Sequence, residues 1–472
     1  MHLGFPYLLL VAVLAVAPTI DLFPSLGWHD QQRVLQIMAF AVAILGLCQQ
    51  AIRSRKAVLA GGIYLGLWLL WGLGWLCVLA SFSLPWALTE FALWHGLWAV
   101  MLYMILALQD KPERLQVLFC LVAFVVAFLC TQFLASLLSA FLSGAKLYAR
   151  ALLDGFENLR WLGQFQTLSL PLLAGLVLMQ TYPRWKRLSY VLLVIWWITV
   201  WLGETRGTWL SITTVLMVSV CLGPLGRRWG LVLGSAGALG FGFFIAIFYF
   251  LADWLGVPYE GRGPDALVYG SSGRIGMWLD AMEKAADFPW LGRGPMSYAG
   301  DFTFPFSHPH NALVQLVYEW GFPFALVVFV LLLIAAGHCA SYLLKTRSSR
   351  DVTAYSVLMS LAALLVHSMV SGVVVMPYLQ LWLAVLAGAA FSCVKLHDGA
   401  GAVGGRRLGA GVMGLMLTAS LAVLVAVTVR DLPRLIDFEP RQNYGGDGPR
   451  FWSQGGIRLD DKTGLIDRGE YR

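Results

Sequence analysis

The chain has 472 residues, of which 59% are hydrophobic and only 12% are charged. Soluble proteins carry about 25% charged residues, so this composition excludes an ordinary soluble domain and predicts an integral membrane protein. The formal net charge of +7 comes mainly from short basic clusters between apolar runs. No basic patch is interleaved with aromatics, so the charge does not predict a nucleic-acid partner.

Apolar runs long enough to cross about 30 Å of hydrocarbon as a helix recur along the whole chain. They predict an all-α polytopic membrane protein with 12 or 13 transmembrane helices, because a short middle pair and both chain ends are ambiguous. The first run lacks the Lys or Arg that opens a signal peptide, so we expect it to be retained. The predicted spans are 4–20, 32–50, 57–80, 86–108, 115–142, 167–181, 188–203, 206–223, 230–252, 322–344, 353–371, 376–394 and 408–429.

Basic residues predict the orientation of these spans. Six clusters, from Arg53–Lys56 to Lys395–Arg407, fall in alternate connections, which the positive-inside rule assigns to the cytoplasm. The remaining connections, including 144–166 and 253–321, then lie outside the cytoplasm. With 13 spans, the tail joins them on that side.

This orientation predicts a division of the chain into four parts. They are an N-terminal transmembrane bundle of about nine spans (1–252), a periplasmic helical loop region (253–321), a C-terminal transmembrane bundle (322–429) and a tail (430–472). The loop region is rich in Gly, Pro and charge, and loops of this length are uncommon unless they are functional or disordered. We expect it to carry the reaction or binding site.

Arginines collect on the outer side, although outer connections should be poor in cations. The planar guanidinium stays charged and binds phosphate through two parallel hydrogen bonds, so an anionic, phosphate-bearing ligand would account for them. The arginines are Arg160, Arg206, Arg262, Arg274 and Arg293.

Two of these arginines stand in positions that helix stability does not explain. Arg206 lies in an almost loop-free turn at membrane depth, where ionisable groups are costly; the alternative is an ion pair with Glu204 or a lipid headgroup contact. Arg274 opens a helix that Ser271 or Ser272 can cap, against the helix dipole. An anion held by the helix amides and the arginine would explain it, and an exposed surface arginine is the alternative.

His310 follows Pro309 and precedes a helix that leads back into the membrane. An imidazole there can accept a proton or donate a hydrogen bond, and His308 could serve instead. Both histidines could also bind a metal with Asp253, Asp265, Asp280 or Asp301, but no spacing matches a ligand pattern, so we expect no metal. The embedded Glu90, His95 and His367 either line the same cavity or bond to neighbouring helices.

Four patches in order resemble the O-antigen ligase and polymerase family of bacterial inner-membrane glycosyltransferases, over about residues 160–321. Thr205 stands where the family pattern has serine. The patches are Arg160-Trp161-Leu162-Gly163, Glu204-Thr205-Arg206-Gly207, Ser272-Gly273-Arg274 with the later Gly292-Arg293-Gly294, and His310-Asn311-Ala312-Leu313.

The resemblance implies a GT-C-like fold and a metal-independent, inverting transfer of a glycan from undecaprenyl pyrophosphate at the periplasmic face, without a cofactor. It implies that Arg206 and Arg274 hold the pyrophosphate and that His310 activates or orients the acceptor hydroxyl. Arg160, His308 and Asn311 are added as residues that bind the pyrophosphate or the glycan. Lipid-linked O-antigen, lipid A–core and membrane lipids are the implied partners.

Three acceptors compete within the family. We expect ligation to lipid A–core, because protein O-oligosaccharyltransferases usually carry a larger soluble domain after the last span and polymerases seldom show the His-Asn signature so plainly. O-antigen polymerase and protein O-oligosaccharyltransferase remain the alternatives. A lipid-linked glycan transporter is the alternative of another class, and it would require matched ionisable groups deep in several spans and symmetry between the halves.

Overall fold

The structure, a computed structural model, describes most of the chain. Six residues named above, Lys56, Arg262, Asp265, Ser271, Ser272 and Lys395, lie outside the described residues. The described residues are 4–53, 61–109, 111–261, 273–301, 303, 306–345, 351–394, 406–436, 450–452, 458–460 and 464–466.

Helices make up nearly all of the described structure. They are α1 (Phe5–Val16), α2 (Trp28–Arg53), α3 (Gly61–Leu79), α4 (Leu84–Leu108), α5 (Pro112–Ser143), α6 (Ala149–Leu152), α7 (Leu159–Met179), α8 (Pro183–Gly203), α9 (Arg206–Cys221), α10 (Gly223–Ile245, continued by a π-helical turn at Ala246–Leu251), α11 (Ala252–Trp254), α12 (Arg274–Ala285), α13 (Ala312–Lys345), α14 (Val352–Ser368), α15 (Pro377–Val394) and α16 (Arg406–Ile436). A 3-10 turn covers Ser297–Gly300.

Two pairs of very short strands complete the described elements. β1 (Leu147–Tyr148) pairs in parallel with β2 (Tyr259–Glu260), which ties the segment before α6 to the start of the 253–321 region. β3 (Arg458–Asp460) pairs antiparallel with β4 (Gly464–Ile466) in the tail.

The chain is an all-α polytopic membrane protein. Among the described residues, nine helices are long and apolar enough to cross a membrane, and four shorter apolar helices accompany them. Every predicted span coincides with one of these helices. Proline stands in the first turn of α4, α5 and α8, where its missing N–H costs no helical hydrogen bond.

Helix α7 lies at the centre of the bundle and is buried along nearly its whole length. It packs against α8 and α14, and polar contacts fix the α14 pairing: Ser360 Oγ donates to the Leu168 carbonyl at 2.7 Å. The Gln164 amide nitrogen donates to Ser371 Oγ at 2.8 Å, just after α14 ends. Because these polar contacts are buried, they fix the position of α14 and of its C-terminal end relative to α7.

Helix α13 has two parts, a first helix that ends at Gly321 and the apolar span that follows it. It runs from Ala312 to Lys345 with a break at Gly321, whose φ of 77° and ψ of 167° are not helical. At the break, Phe322 N donates to the Pro289 carbonyl, and Gly294 N donates to the Glu319 carbonyl at 3.0 Å. The 288–294 turn therefore packs directly on the break in α13.

Candidate functional site

The first turns of α7 and α9 bring Arg160 and Arg206 to one end of the bundle, which we call the arginine end. Asn158 caps α7, its Oδ1 accepting from Arg160 N at 2.9 Å. Arg206 is the first residue of α9, and Thr208 Oγ1 donates to the Gly163 carbonyl of α7 at 2.7 Å. Both arginine side chains are exposed at this end.

Helix α12 brings the third arginine to the same place. Arg274 Nη1 donates to the Val370 carbonyl at 2.6 Å, in the connection between α14 and α15. One turn further along α12, Trp278 Nε1 donates to the Pro309 carbonyl at 2.8 Å. One face of α12 thus contacts both the α14–α15 connection and the histidine loop. Gly273, in the left-handed conformation, precedes the helix.

The three arginines repel one another electrostatically. Burial lowers the pKa of Arg274, and the positive charges of Arg160 and Arg206 lower it further. Among the described residues, no carboxylate lies within ion-pair distance of Arg274. An anionic ligand at this point would relieve the repulsion among the guanidinium groups.

His308 and His310 form a contact pair beside these arginines. Their ring centroids are 4.2 Å apart, and His310 N donates to His308 Nδ1 at 3.2 Å. His308 is buried against Gly372, where a Cβ atom would come within 2.4 Å of its Cε1. His310 has a φ of 55°, a left-handed conformation that is uncommon for non-glycine residues and that clusters at functional sites.

The His310 ring has hydrogen-bonding capacity that the described residues do not satisfy. Among the described residues, neither ring nitrogen has a hydrogen-bond partner, although both are buried. Burial, with Arg274 and Arg160 nearby, lowers the pKa of His310 to about 3. The pKa of His308 also lies well below its ordinary value, through burial and the charges of His310 and Arg450. The imidazoles are therefore neutral at ambient pH and can accept hydrogen bonds.

Asn311 has a structural role as the N-cap of α13. Its Oδ1 accepts from Leu313 N at 3.0 Å and from Val314 N at 3.1 Å. The preference of helix N-caps for asparagine could have indicated this from the sequence. The cap fixes where α13 begins, one residue after His310.

Arg293, by contrast, belongs to a separate polar network. It donates to the Tyr318 hydroxyl at 3.0 Å, and that hydroxyl donates to Asp301 Oδ2 at 3.1 Å. Lys284 Nζ reaches the same carboxylate oxygen at 2.8 Å and Asp280 Oδ2 at 2.9 Å. Two of the aspartates weighed for a metal site thus pair with a lysine. Within the described part of the chain, no group of three His, Cys, Asp or Glu could hold a metal ion.

The embedded polar residues bond within the protein. His95 Nδ1 lies 3.0 Å from Ser420 Oγ, and His367 Nδ1 lies 2.7 Å from Thr167 Oγ1. Glu90 accepts from Arg450 Nη2 at 2.8 Å, a partner from the tail that sequence reasoning missed. The structure therefore favours the interpretation that these residues bond within the protein over the interpretation that they line the cavity of the site.

A cavity of about 590 Å³ lies elsewhere, lined in part by Gln49, Tyr103, Lys111 and Arg114. In it Arg114 stacks on Tyr7 and donates to the Ala107 carbonyl at 2.7 Å. Neither site histidine lines it. Its basic residues belong to connections predicted on the opposite side of the membrane from the arginine end.

Fold and site together define a multi-pass membrane protein with converging arginines and a neutral histidine pair at one end of its helices. Such a site fits a phosphate-bearing ligand. Residues 190–330 match the O-antigen ligase family, which supports membership of the chain in the O-antigen ligase/polymerase family. The matched range includes Arg206, Arg274 and His310 but not Arg160. No curated protein sequence matches the chain.

Proposed function

We propose that the chain is an O-antigen ligase, which transfers a glycan from undecaprenyl pyrophosphate to lipid A–core at the periplasmic face of the bacterial inner membrane. The observation that carries this proposal is the convergence of Arg160, Arg206 and Arg274 beside a histidine with unpartnered ring nitrogens among the described residues. The family match adds support, because it implies lipid-linked glycan substrates.

In this proposal the arginines bind the pyrophosphate of the donor. During transfer, the bond between the anomeric carbon of the glycan and the pyrophosphate oxygen breaks, and its electron pair leaves with the pyrophosphate. Positive groups aimed at that oxygen stabilise the charge that develops in the transition state. The scheme needs no metal ion, because guanidinium groups supply the positive charge.

His310 receives the acceptor in this scheme. A sugar hydroxyl of lipid A–core attacks the anomeric carbon on the side opposite the pyrophosphate, so the configuration inverts. The hydroxyl proton passes to a ring nitrogen of His310, which is neutral in the donor-free protein. General-base assistance of this kind contributes about 10²–10⁴-fold to rate. His308 supports the ring of His310 through their direct contact.

Donor binding would make His310 a stronger base. In the donor-free protein, burial and the charges of Arg274 and Arg160 keep its pKa low. A bound pyrophosphate would offset those charges, so the pKa of His310 would rise toward ambient pH, where general bases are most effective. The base would then be activated only when the donor is in place.

The four-part division of the chain has a functional meaning in this proposal. The region 253–321 supplies Arg274 and His310 to the periplasmic site, while the bundles 1–252 and 322–429 hold the lipid-linked substrates within the membrane. Arg450 of the tail bonds to Glu319 in the first part of α13, which supports a position of this tail residue on the side of the proposed site.

Two other enzymes of the family would use the same donor site. An O-antigen polymerase would extend the lipid-linked glycan, and a protein O-oligosaccharyltransferase would use a protein hydroxyl. A lipid-linked glycan transporter would bind the donor without breaking the glycosidic bond. These functions differ from the ligase in acceptor or in chemistry, so a transfer assay separates them.

The test is transfer by the purified full-length protein in liposomes. Undecaprenyl-pyrophosphate glycan and lipid A–core are mixed with EDTA present, using wild type, Arg206→Ala, Arg274→Ala and His310→Ala. We expect a ladder of glycan on lipid A–core with wild type and its loss in the three variants. Arg187→Ala, which removes an exposed arginine in the first turns of α8, is the matched control and should behave as wild type.

Other outcomes would replace the proposal. Extension of the lipid-linked glycan with lipid A–core untouched would identify a polymerase, and transfer to a Ser-containing or Thr-containing peptide would identify a protein glycosyltransferase. Folded, donor-binding protein that transfers glycan to no acceptor would favour the transporter.

A further inference from the structure

Three residues of the tail are buried inside the helix bundle. Arg450, Phe451 and Trp452 are only 3%, 0% and 1% exposed, although they follow the last helix. Tails are normally poorly ordered unless specific contacts hold them. Three consecutive buried residues, one of them charged, therefore indicate a built docking site for the tail.

Arg450 pairs with two buried carboxylates from different helices. Its Nη2 lies 2.8 Å from Glu90 Oε1 on α4 and 2.7 Å from Glu319 Oε2 on α13, and its Nη1 bonds to the other oxygen of Glu319. The contact with Glu319 is the two-point geometry in which arginine binds carboxylates most strongly. Both glutamates are almost fully buried, so Arg450 is the cation that makes their burial tolerable.

The neighbouring residues hold the segment in place. Arg33 Nε donates to the Phe451 carbonyl at 3.2 Å, and the Arg33 guanidinium lies over the Phe451 ring at 5.1 Å. Trp452 Nε1 donates to Asp431 Oδ2 at 3.0 Å. The tail is thus attached to α2 and α16 as well as to α4 and α13.

Glu319 connects Arg450 to the histidine loop. It stands on the straight part of α13 that begins directly after His310 and Asn311, and it also accepts from Tyr298 N at 3.2 Å. Gln315, one turn nearer His310, donates to its second oxygen at 3.3 Å. A shift of Glu319 would therefore move the start of α13 and the loop that leads into it.

A second path runs through the connection between α14 and α15. Arg33, which holds Phe451, also donates to the Val375 carbonyl at 3.5 Å and to Gln380 Oε1 at 2.9 Å. In the same connection Gly372 packs on the His308 ring. The tail segment thus supports the histidine pair from both sides.

We propose that Arg450 is a positioning residue for His310, acting through Glu319, and that docking of the Arg450–Trp452 segment completes the catalytic site. The proposal rests on the proposed function of His310 as the group that takes the acceptor proton. Arg450 touches no substrate, so its loss changes the placement of the base and leaves the donor-binding arginines in position.

The test compares kcat and the donor KM of Arg450→Met with those of wild type in the same transfer assay. We expect kcat to fall about 10²-fold, because an ångström-scale displacement of a catalytic group has that cost. The donor KM should stay within about 3-fold, since Arg206 and Arg274 are unchanged. Arg187→Met removes an exposed arginine from the first turns of α8 and should behave as wild type.

Two further variants keep the test decisive if Arg450→Met does not fold. The triple variant Glu90→Gln, Glu319→Gln, Arg450→Met removes all three buried charges and should fold, yet keep the low kcat. Arg450→Lys keeps the charge but lacks the planar guanidinium group that bonds both carboxylates. It should therefore fold and show an intermediate kcat.

Folding is monitored by thermal unfolding and size-exclusion chromatography. A folded Arg450→Met or triple variant with wild-type kcat would overturn the proposal. A rise in donor KM equal to the fall in kcat would also overturn it, since that pattern indicates general damage. Failure of the proposed function is seen separately, because wild type itself would then transfer no glycan.

Discussion

Two arginines of this protein, Arg274 and Arg450, face opposite electrostatic surroundings. Burial would lower the pKa of Arg450, but Glu319 and Glu90 raise it above the ordinary value. Burial also lowers the pKa of Arg274, and there the nearby charges are two more arginines, which lower it further. Arg450 is almost fully buried, whereas Arg274 is half-buried at the arginine end.

The difference separates an arginine that supports the fold from one that awaits a ligand. A structural arginine finds its counter-charge within the chain, because an unpaired buried charge destabilises the folded state. Like charges gathered at one place are costly to the fold, and such strain is tolerated where a ligand supplies a counter-charge. Removal of Arg274 should therefore reduce activity more than stability, whereas removal of Arg450 should have the larger effect on stability.

The largest effect is expected from Arg274→Ala. Glycan transfer should fall about 10³-fold, since one preorganised positive donor to the leaving group is lost. The thermal unfolding temperature should stay level or rise, because the variant relieves repulsion among the arginines. Thermal unfolding and transfer rates measured on one preparation check both statements. A clear loss of stability would remove the contrast with Arg450.

The pH dependence of transfer would sharpen the contrast on the Arg274 side, because Arg274 acts on the pKa of His310. His310 must be neutral to accept a proton, and in the donor-free protein its pKa is lowered to about 3. The profile of kcat/KM reports the free enzyme and that of kcat reports the complex. We expect kcat/KM to show no ionisation of His310 near about 6.5, and kcat to fall on the acidic side at a higher pH than kcat/KM.

This pH prediction has a direct control in His310→Gln, which should lose the acidic limb of kcat. If the acidic limbs of both parameters coincide near about 6.5, the arginines do not control the base.

Glycine substitutions test how tightly the 288–294 turn is packed against α13 near Glu319. A Cβ atom at Gly292, where φ is +66°, would lie 2.5 Å from the Glu319 carbonyl group. At Gly273, where φ is +75°, it would meet no atom of the described residues within 4 Å. Gly273→Ala should cost about 1–2 kcal/mol of backbone strain. Gly292→Ala should cost more, because a steric clash adds to the strain, and unfolding temperatures measure the difference. Equal losses would show that the turn can move away from α13.

The smallest effect is expected from Lys284→Met. Burial would raise the pKa of Asp301, but hydrogen bonds from Lys284 and Thr303 lower it. A carboxylate with a lowered pKa contributes stability above its unfolded pKa, and this contribution is lost as pH falls through the folded pKa. The variant should lose about 1 kcal/mol at neutral pH, since Lys284 is partly exposed, and less near about pH 4. Lys284→Arg is the control, and a loss that does not change with pH would point to packing.

Much of the fold could be predicted from the sequence, because the length of an apolar run decides whether it can cross the bilayer. All predicted spans coincide with helices, including the short pair that became α8 and α9. The break at Gly321 lies directly before the span predicted at 322–344, and the 288–294 turn packs on it.

The site was predictable in part. The excess of arginine on the predicted outer side singled out Arg274 and Arg206, and the helix preceding the span singled out His310; their roles stay predictions. The Arg450 pairing was not predictable, because Glu90 and Arg450 are 360 residues apart and neither stands in a local pattern. Glu90 was noticed only as an embedded carboxylate, without its partner.

The separation of Glu90 from Arg450 has a consequence for biosynthesis. Helix α4 is made and inserted long before the residue that neutralises it, which comes 360 positions later in the chain. During that interval the carboxylate must be protonated or remain in contact with water. The contacts of Arg450 with Glu90 and Glu319 can therefore form only after the tail has been synthesised. The last step of assembly would also be the one that makes the protein active.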